Sequence, residues 1–394
     1  MKSLQDIYFL KRAGRYLNPR RAADILPVVY GDLSRQDQGG GLWPAVCIDS
    51  QAHVYALAGV PILSREAGNL VRLFDRQGEE VFDFDFSPAH DYQGQGLIAT
   101  ATFGRDMRAR EPLGVAARGR ANADGLLLNP VAILKDFLLE LAGMEPDQLD
   151  GVAWARAQRR AQERGYQAAG LISDEQPLGD TLSQILGCFL GSWWLDARGR
   201  LRVGLEGTGL RCLESEVAHS FAAVDTLEVQ VSSDIKNTCN RVACQYAYNW
   251  DLEDCEAFDE GDTARDLLSQ ALYGEQVRYL GLPWVRLPAV AGLVRQAAIR
   301  RFALGARLFS LEVPGRPTLH LEKGDHAWFS STWLRDASGR PMTDQLVRVL
   351  SLQTDLDALT TRLTLEDTGY RRAPAWLADG SRPANGSVLA GAEL

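Results

Sequence analysis

Lysine is nearly missing from this chain: five residues, at positions 2, 11, 135, 236 and 323, stand among 394, and arginine supplies the other 37 side-chain cations. Acidic residues number 51, and the formal net charge is −9. That balance excludes a protein that grips nucleic acid through a generally basic surface, so no specific nucleic-acid binding is expected. Long apolar runs are missing too. The best candidate, positions 132–141, is broken by Lys135, Asp136 and Glu140, and a spanning helix needs roughly 18 uninterrupted residues. No integral membrane segment is expected. The first residues carry Lys2, Lys11, Arg12 and Arg15, but Asp6 interrupts them and no apolar core with a small-residue cleavage site follows. No export signal is read there. Cysteine is sparse: six residues, at 47, 188, 212, 239, 244 and 255, exclude a disulfide scaffold and point to synthesis in a reducing cytoplasm.

Catalytic signatures are absent as well. The chain has no G-x-S-x-G elbow, no H-E-x-x-H, no Walker A sequence and no G-x-G-x-x-G loop, so no catalytic residue, no cofactor and no enzyme activity are expected. Gly39-Gly40-Gly41 lacks the strand-to-helix context of a phosphate loop and reads as a turn. The carboxylates Glu66, Asp83 and Asp85 would be the candidates of a cell-wall hydrolase, but they fall in segments that read as turn or strand surface. His320 and His326 are six apart across Glu322-Lys323-Gly324-Asp325 and would face each other on a hairpin, with no third ligand nearby. One set is carried as an alternative: Cys212, Cys239, Cys244 and Cys255 bring four thiols within 44 positions, enough for zinc or an iron–sulfur cluster. Against it, Cys239 and Cys244 are an odd number apart and would point to opposite faces of one continuous strand.

Strand-like text dominates what is present. Runs at 45–49, 53–57, 69–74, 81–86 and 97–103 are short and closely spaced, as in a small barrel or sandwich. Within them Phe82, Phe84 and Phe86 alternate with Asp83 and Asp85, which predicts one apolar and one solvated face. Texture changes at Asn129-Pro130, an N-cap followed by proline in the first helical position, with Leu134, Phe137, Leu138 and Leu141 on one stripe before Gly143. A second helix carries Trp154, Ala157 and Ala161 toward Gly165, and a third runs from near Asp180 through Leu182, Ile185 and Leu186 to Gly187. Residues 193–203 read as a hairpin turning at 197–199. Further strands are expected at 227–231, 240–248, 308–313, 318–321, 326–329, 346–350 and 361–365, with Val242, Cys244, Tyr246 and Tyr248 sharing one face. One helix intervenes from near Pro288, its apolar stripe of Leu293, Val294, Ala297, Ala298 and Phe302 interrupted by Arg301. The class expected is α+β, with two β-rich, barrel-like domains flanking a mixed α/β domain. The boundaries read are an N-terminal arm at 1–26, β-rich domains at 27–118 and 216–372, the mixed domain at 119–215, and a loose tail at 373–394.

The order of these segments resembles the baseplate or tail-tip hub proteins of long-tailed bacteriophages, related to the central domains of tail attachment protein J. Asn129-Pro130-Val131-Ala132-Ile133-Leu134 enters a helix and is followed by Trp154 to Ala157, Arg164-Gly165-Tyr166, Leu186-Gly187 and the Leu195-Asp196 to Gly199-Arg200-Leu201 hairpin. Then come Ser233-Asp234-Ile235-Lys236-Asn237 before Asn240-Arg241-Val242-Ala243-Cys244-Gln245-Tyr246, Ser269 with Tyr273-Gly274, and Leu321-Glu322-Lys323-Gly324-Asp325. Upstream, Pro27 to Leu33 and Tyr55 to Ile62 look like the first hub barrel, so the likeness spans roughly residues 27 to 370.

The resemblance implies a structural virion protein at the tail tip, made in the bacterial host cytoplasm. It would be a homotrimeric ring closing the tail tube, joined to the distal tail and tape-measure proteins above and to tail fibre proteins below, with a part in host attachment and genome ejection. The acidic balance would let DNA slide through its channel without capture. Trp284, Trp333 and Trp376 are candidates for anchoring neighbours, or for the core. Against the attachment-protein pattern the sequence shows no fibronectin-like or fibre-bearing extension after the second β-rich domain, so receptor binding is expected to belong to another polypeptide. Some tail-tip components carry an iron–sulfur cluster on four Cys, and this keeps the set at 212–255 as the alternative.

Overall fold

The computed structural model describes residues 24–34, 41–64, 68, 70–92, 94, 96–174, 176–205, 217–222, 226–233, 238–262, 264–303, 307–335 and 340–371. The first strand, β1 (Asp24–Tyr30), pairs with none of its sequence neighbours. It runs antiparallel to β12 (Gly170–Asp174), with Tyr30 opposite Gly170. Between them lie two open four-stranded sheets. One has the order β2 (Trp43–Pro44), β9 (Gly114–Ala116), β5 (Arg72–Phe74), β6 (Glu80–Val81), and the other β3 (Val46–Asp49), β4 (Val54–Ala58), β8 (Leu97–Thr102), β7 (Asp85–Asp91). The run 81–86, expected as one strand, is divided between these sheets. Phe82 and Phe84 close a tight turn, with Phe84 N–H donating to the Phe82 carbonyl at 3.1 Å. Phe82 is thereby left exposed, while Phe84 and Phe86 pack on the core. A two-stranded ribbon, β10 (Ala121–Asn122) with β11 (Gly125–Leu126), leads into the helices.

Helix α1 (Pro130–Asp136) starts where its cap residues dictate. The Asn129 side chain accepts from Val131 N and Ala132 N, and Pro130 fills the first turn. The helix continues as a π-helical turn over Phe137–Leu141, and Gly143 ends it at φ 67°. Helix α2 (Gly151–Glu163) is capped by Asp150 and buries Trp154, Ala157, Arg160 and Ala161. Helix α3 (Leu178–Gly187) buries Leu182, Ile185 and Leu186. The hairpin of β13 (Gly191–Leu195) and β14 (Leu201–Leu205) turns on Asp196, whose carboxylate accepts from Arg198 N and Arg200 N.

Beyond it the described chain forms a six-stranded sheet and a three-stranded one. The six-stranded order is β15 (Val217–Phe221), β21 (His326–Arg335), β22 (Pro341–Asp355), β23 (Thr360–Arg371), β20 (Arg307–Pro314), β16 (Glu228–Ser233). Only β15 to β21 is parallel. In the smaller sheet β17 (Arg241–Asn249) is central, antiparallel to β18 (Asp254–Asp259) and parallel to β19 (Val277–Leu282). Two helices complete this part, α4 (Leu267–Tyr273) and α5 (Pro288–Phe302). The strand expected at 318–321 is instead a 3₁₀ turn over Arg316–Thr318. Pro317 has no N–H for a ladder, and Thr318 Oγ1 bonds back to the Gly315 carbonyl at 3.0 Å.

The fold is α+β as expected, and the β-rich regions are open sheets, none closed on itself among the described residues. The largest core runs from Val28 to Val294 and includes the buried indoles of Trp43, Trp154 and Trp284. Each of the first two satisfies its N–H on a carbonyl, Leu57 for Trp43 at 2.8 Å and Leu201 for Trp154 at 2.9 Å. Gly170 is required where it is, because a Cβ there would lie 2.6 Å from the Trp284 ring. A second core, with Phe221, Phe309, Phe329, Val347 and Leu365, belongs to the six-stranded sheet. Helix α5 buries Arg295 and Arg301 along with its apolar residues, and Leu293 is exposed, so its stripe is less regular than the spacing predicts.

Candidate functional site

Of the four cysteines, the described residues include Cys239, Cys244 and Cys255, and these are not grouped to hold a metal ion. Cys212 lies outside the described residues. Cys239 precedes β17 and packs with Val242, Ala298, Ile299 and Ala303, its thiol donating to the Arg241 carbonyl at 3.5 Å. Cys244 is on β17 in the largest core, and Cys255 is half-buried on β18 opposite Tyr248. Burial pushes all three thiols up, toward the protonated form and away from the thiolate a metal takes. Among the described residues no group of three or more His, Cys, Asp or Glu is placed to hold a metal ion. Of the carboxylate candidates, Glu66 lies outside the described residues, and Asp83 and Asp85 are exposed.

His320 and His326 do not face each other. His320 Nε2 lies 3.0 Å from the Ala218 carbonyl, and its ring sits 5.5 Å from that of His219. His326 instead starts β21 and turns into a cleft between α2, β14 and the six-stranded sheet. Five arginines line this cleft: Arg156 and Arg160 from α2, Arg202 from β14, Arg301 from α5 and Arg348 from β22. Glu366 of β23 is the one carboxylate in the lining, and it pairs with Arg301 and, at 2.8 Å, with Arg348. Arg202 Nη1 donates to Glu322 Oε2 at 2.6 Å, and its Nη2 reaches Asp325 Oδ1 at 3.4 Å. Trp194 forms part of the wall, with its ring seated on Gly324. Gly324 has φ 86°, and a Cβ there would lie 2.2 Å from the indole, so no other residue fits. Burial, and then Arg160, Arg348 and Arg156, push the His326 imidazole down to about 3. Sequence spacing does not bring these residues together, since the five arginines alone come from four separate elements, α2, β14, α5 and β22.

A second feature is an exposed apolar face around the three-stranded sheet. Phe258 on β18 and Tyr279 on β19 both leave the sheet on its open side, opposite Gln245 and Ala243 of β17. Tyr279 is 73% exposed. Leu267, Leu268 and Leu272 of α4 are exposed as well, and so is Val277 at the start of β19. Of the three tryptophans read as anchors or core, Trp284 is buried and Trp333 on β21 is 85% exposed. Trp376 lies outside the described residues.

No family model matches the sequence, and no curated protein matches it. Among solved structures, the chain is similar to one in the virion of a native gene transfer agent particle, at 14% identity and a TM-score of 0.45, over 86% of this chain and 87% of that one. No helix among the described residues is long and apolar enough to cross a membrane.

Proposed function

We propose that the chain is a structural component of a phage tail tip, a baseplate-hub subunit that assembles as a homotrimeric ring at the end of the tail tube. The observation that carries this reading is the open face of the three-stranded sheet, where Phe258 of β18 and Tyr279 of β19 stand exposed on the same side, opposite Gln245 and Ala243 of β17. Clustered exposure of this kind marks a protein–protein contact, whereas scattered single residues do not. The ordered segments between residues 27 and 370 supply the kind of assembly. In that assembly the distal tail, tape-measure and fibre proteins are the neighbours, and the chain takes part in host attachment and DNA passage through contacts rather than chemistry.

Mass photometry of the purified full-length chain across nanomolar to micromolar concentration tests the reading. A trimer that forms with concentration supports it. A chain that stays monomeric and is also missing from tail tips reconstituted with its co-expressed neighbours overturns it.

A further inference from the structure

We propose that the arginine-lined cleft between α2, β14 and the six-stranded sheet is a binding site for a small tetrahedral oxyanion of the phosphate class. The lining holds five guanidinium groups and one carboxylate. In a chain of net charge −9, such a concentration of positive charge needs a local reason. The cationic side chains come from α2, β14, α5 and β22, with His326 from β21, so they are fixed by regular elements rather than by loops. Glu322, Asp325 and Glu366 hold guanidinium groups of Arg202, Arg301 and Arg348 in place.

Two buried nitrogens among the lining residues, Trp194 Nε1 and His326 Nδ1, have no hydrogen-bond partner among the described residues, and Arg202 Nε has only a long contact with Asp150 at 3.5 Å. Buried polar nitrogens left without a partner are rare in folded proteins, and two of them facing one arginine-lined cavity call for an external partner. The space is about 50 Å³, room for a few waters or one small ion and too little for a nucleotide. Donors arriving from several directions suit four oxygens in a tetrahedron better than the two of a planar carboxylate. An ion there would tie α2 and the β13–β14 hairpin to the six-stranded sheet.

The test is isothermal titration of the full-length protein in chloride buffer with sodium phosphate, sodium sulfate and sodium acetate at matched ionic strength. Thermal melts run in parallel. Saturable one-to-one binding of phosphate or sulfate is expected, with none of acetate. Arg156→Met, on a half-buried position of α2, and Arg348→Met should each weaken it about tenfold or more. Arg108→Met, at an exposed pair with Asp106 elsewhere in the fold, should leave it unchanged. If Arg348→Met does not fold, Arg156→Met alone decides. Three results would overturn the site: no saturable heat, a rise in melting temperature equal in the wild type and Arg156→Met, as general salt exclusion gives, or equal affinity for a short oligothymidylate, which the enclosed space does not admit.

Discussion

Arg202 and Glu322 meet at 2.6 Å although 120 residues separate them, and the contact fastens the β13–β14 hairpin to the turn that precedes β21. Arg202 also lies 3.5 Å from Asp150, the cap of α2, and 3.4 Å from Asp325. One cation therefore serves three carboxylates from two regions of the chain. Glu322→Ala removes one partner of a group that keeps two others, and a loss of about 1 kcal/mol is expected. Arg202→Met leaves all three carboxylates facing each other with less compensation, and about 2–4 kcal/mol is expected. Urea denaturation midpoints compare the two, and similar losses for both would show that the cation is not shared.

Glu366 is the corresponding anion on the sheet side. It pairs with Arg301 from α5 and Arg348 from β22, with little of any of the three side chains exposed. Glu366→Gln keeps the shape and removes the charge, so about 2–4 kcal/mol of stability should go. The double variant Glu366→Gln, Arg348→Met should recover part of it, because fewer buried cations are left uncompensated. A double-mutant cycle by chemical denaturation measures the coupling.

Helices α1, α2 and α3 were legible because their signals are local, whereas α4, a seven-residue helix, was not expected. Asn129-Pro130 marks the start of α1, Gly143 and Gly165 mark ends, and the stripes of α2 and α3 bury as spaced. The β13–β14 hairpin was legible for the same reason. Pairings set by tertiary packing were not: β1 with β12, β15 with β21 and β17 with β19 join strands that no local pattern links. Phe82 misled because alternation does not reveal where a chain changes sheets. The cleft was invisible as a site. Arg156 and Arg160 carry no signal in the sequence and Arg301 reads only as an interruption in an apolar stripe, and packing of α2 and α5 near one sheet makes them neighbours.

Asn129 does two things at once. Its Oδ1 accepts from the first turn of α1, and its Nδ2 donates to the Gln158 carbonyl of α2 at 2.9 Å. Asn129→Ala should cost about 1–2 kcal/mol, at the upper end for a cap, since the tie between helices goes with it. Asn129→Asp keeps the cap but loses the donor, and it should lie between alanine and wild type in thermal melts.

His326 makes stability depend on pH with a defined sign. Its folded-state value is pushed down to about 3 by burial and the nearby arginines, from an ordinary 6.5. The unfolded chain therefore takes up a proton that the folded one refuses. The contribution is complete above about pH 6.5 and is lost as pH falls toward 3, reaching at most a few kcal/mol. His326→Phe removes this loss, so the difference in stability between variant and wild type should shift in favour of the variant between pH 7 and 5, above the range where most carboxylates titrate. Parallel urea titrations in chloride buffers across that range check it, and a constant difference would contradict it.

Assembly through the face of β18 and β19 predicts variants that separate association from folding. Tyr279 and Phe258 are exposed in the isolated chain, so Tyr279→Glu and Phe258→Glu should change its stability by no more than about 0.5 kcal/mol. In a ring contact the same changes would place carboxylates in a desolvated centre, where large aromatics carry most of the energy. The trimer should then be lost by mass photometry while circular dichroism and the melting temperature of the monomer stay as in the wild type. Trp333→Glu, on β21, separates the two exposed aromatic regions: if it alone abolishes the trimer, the contact runs along the six-stranded sheet, and the open face of β18 and β19 meets a different neighbour.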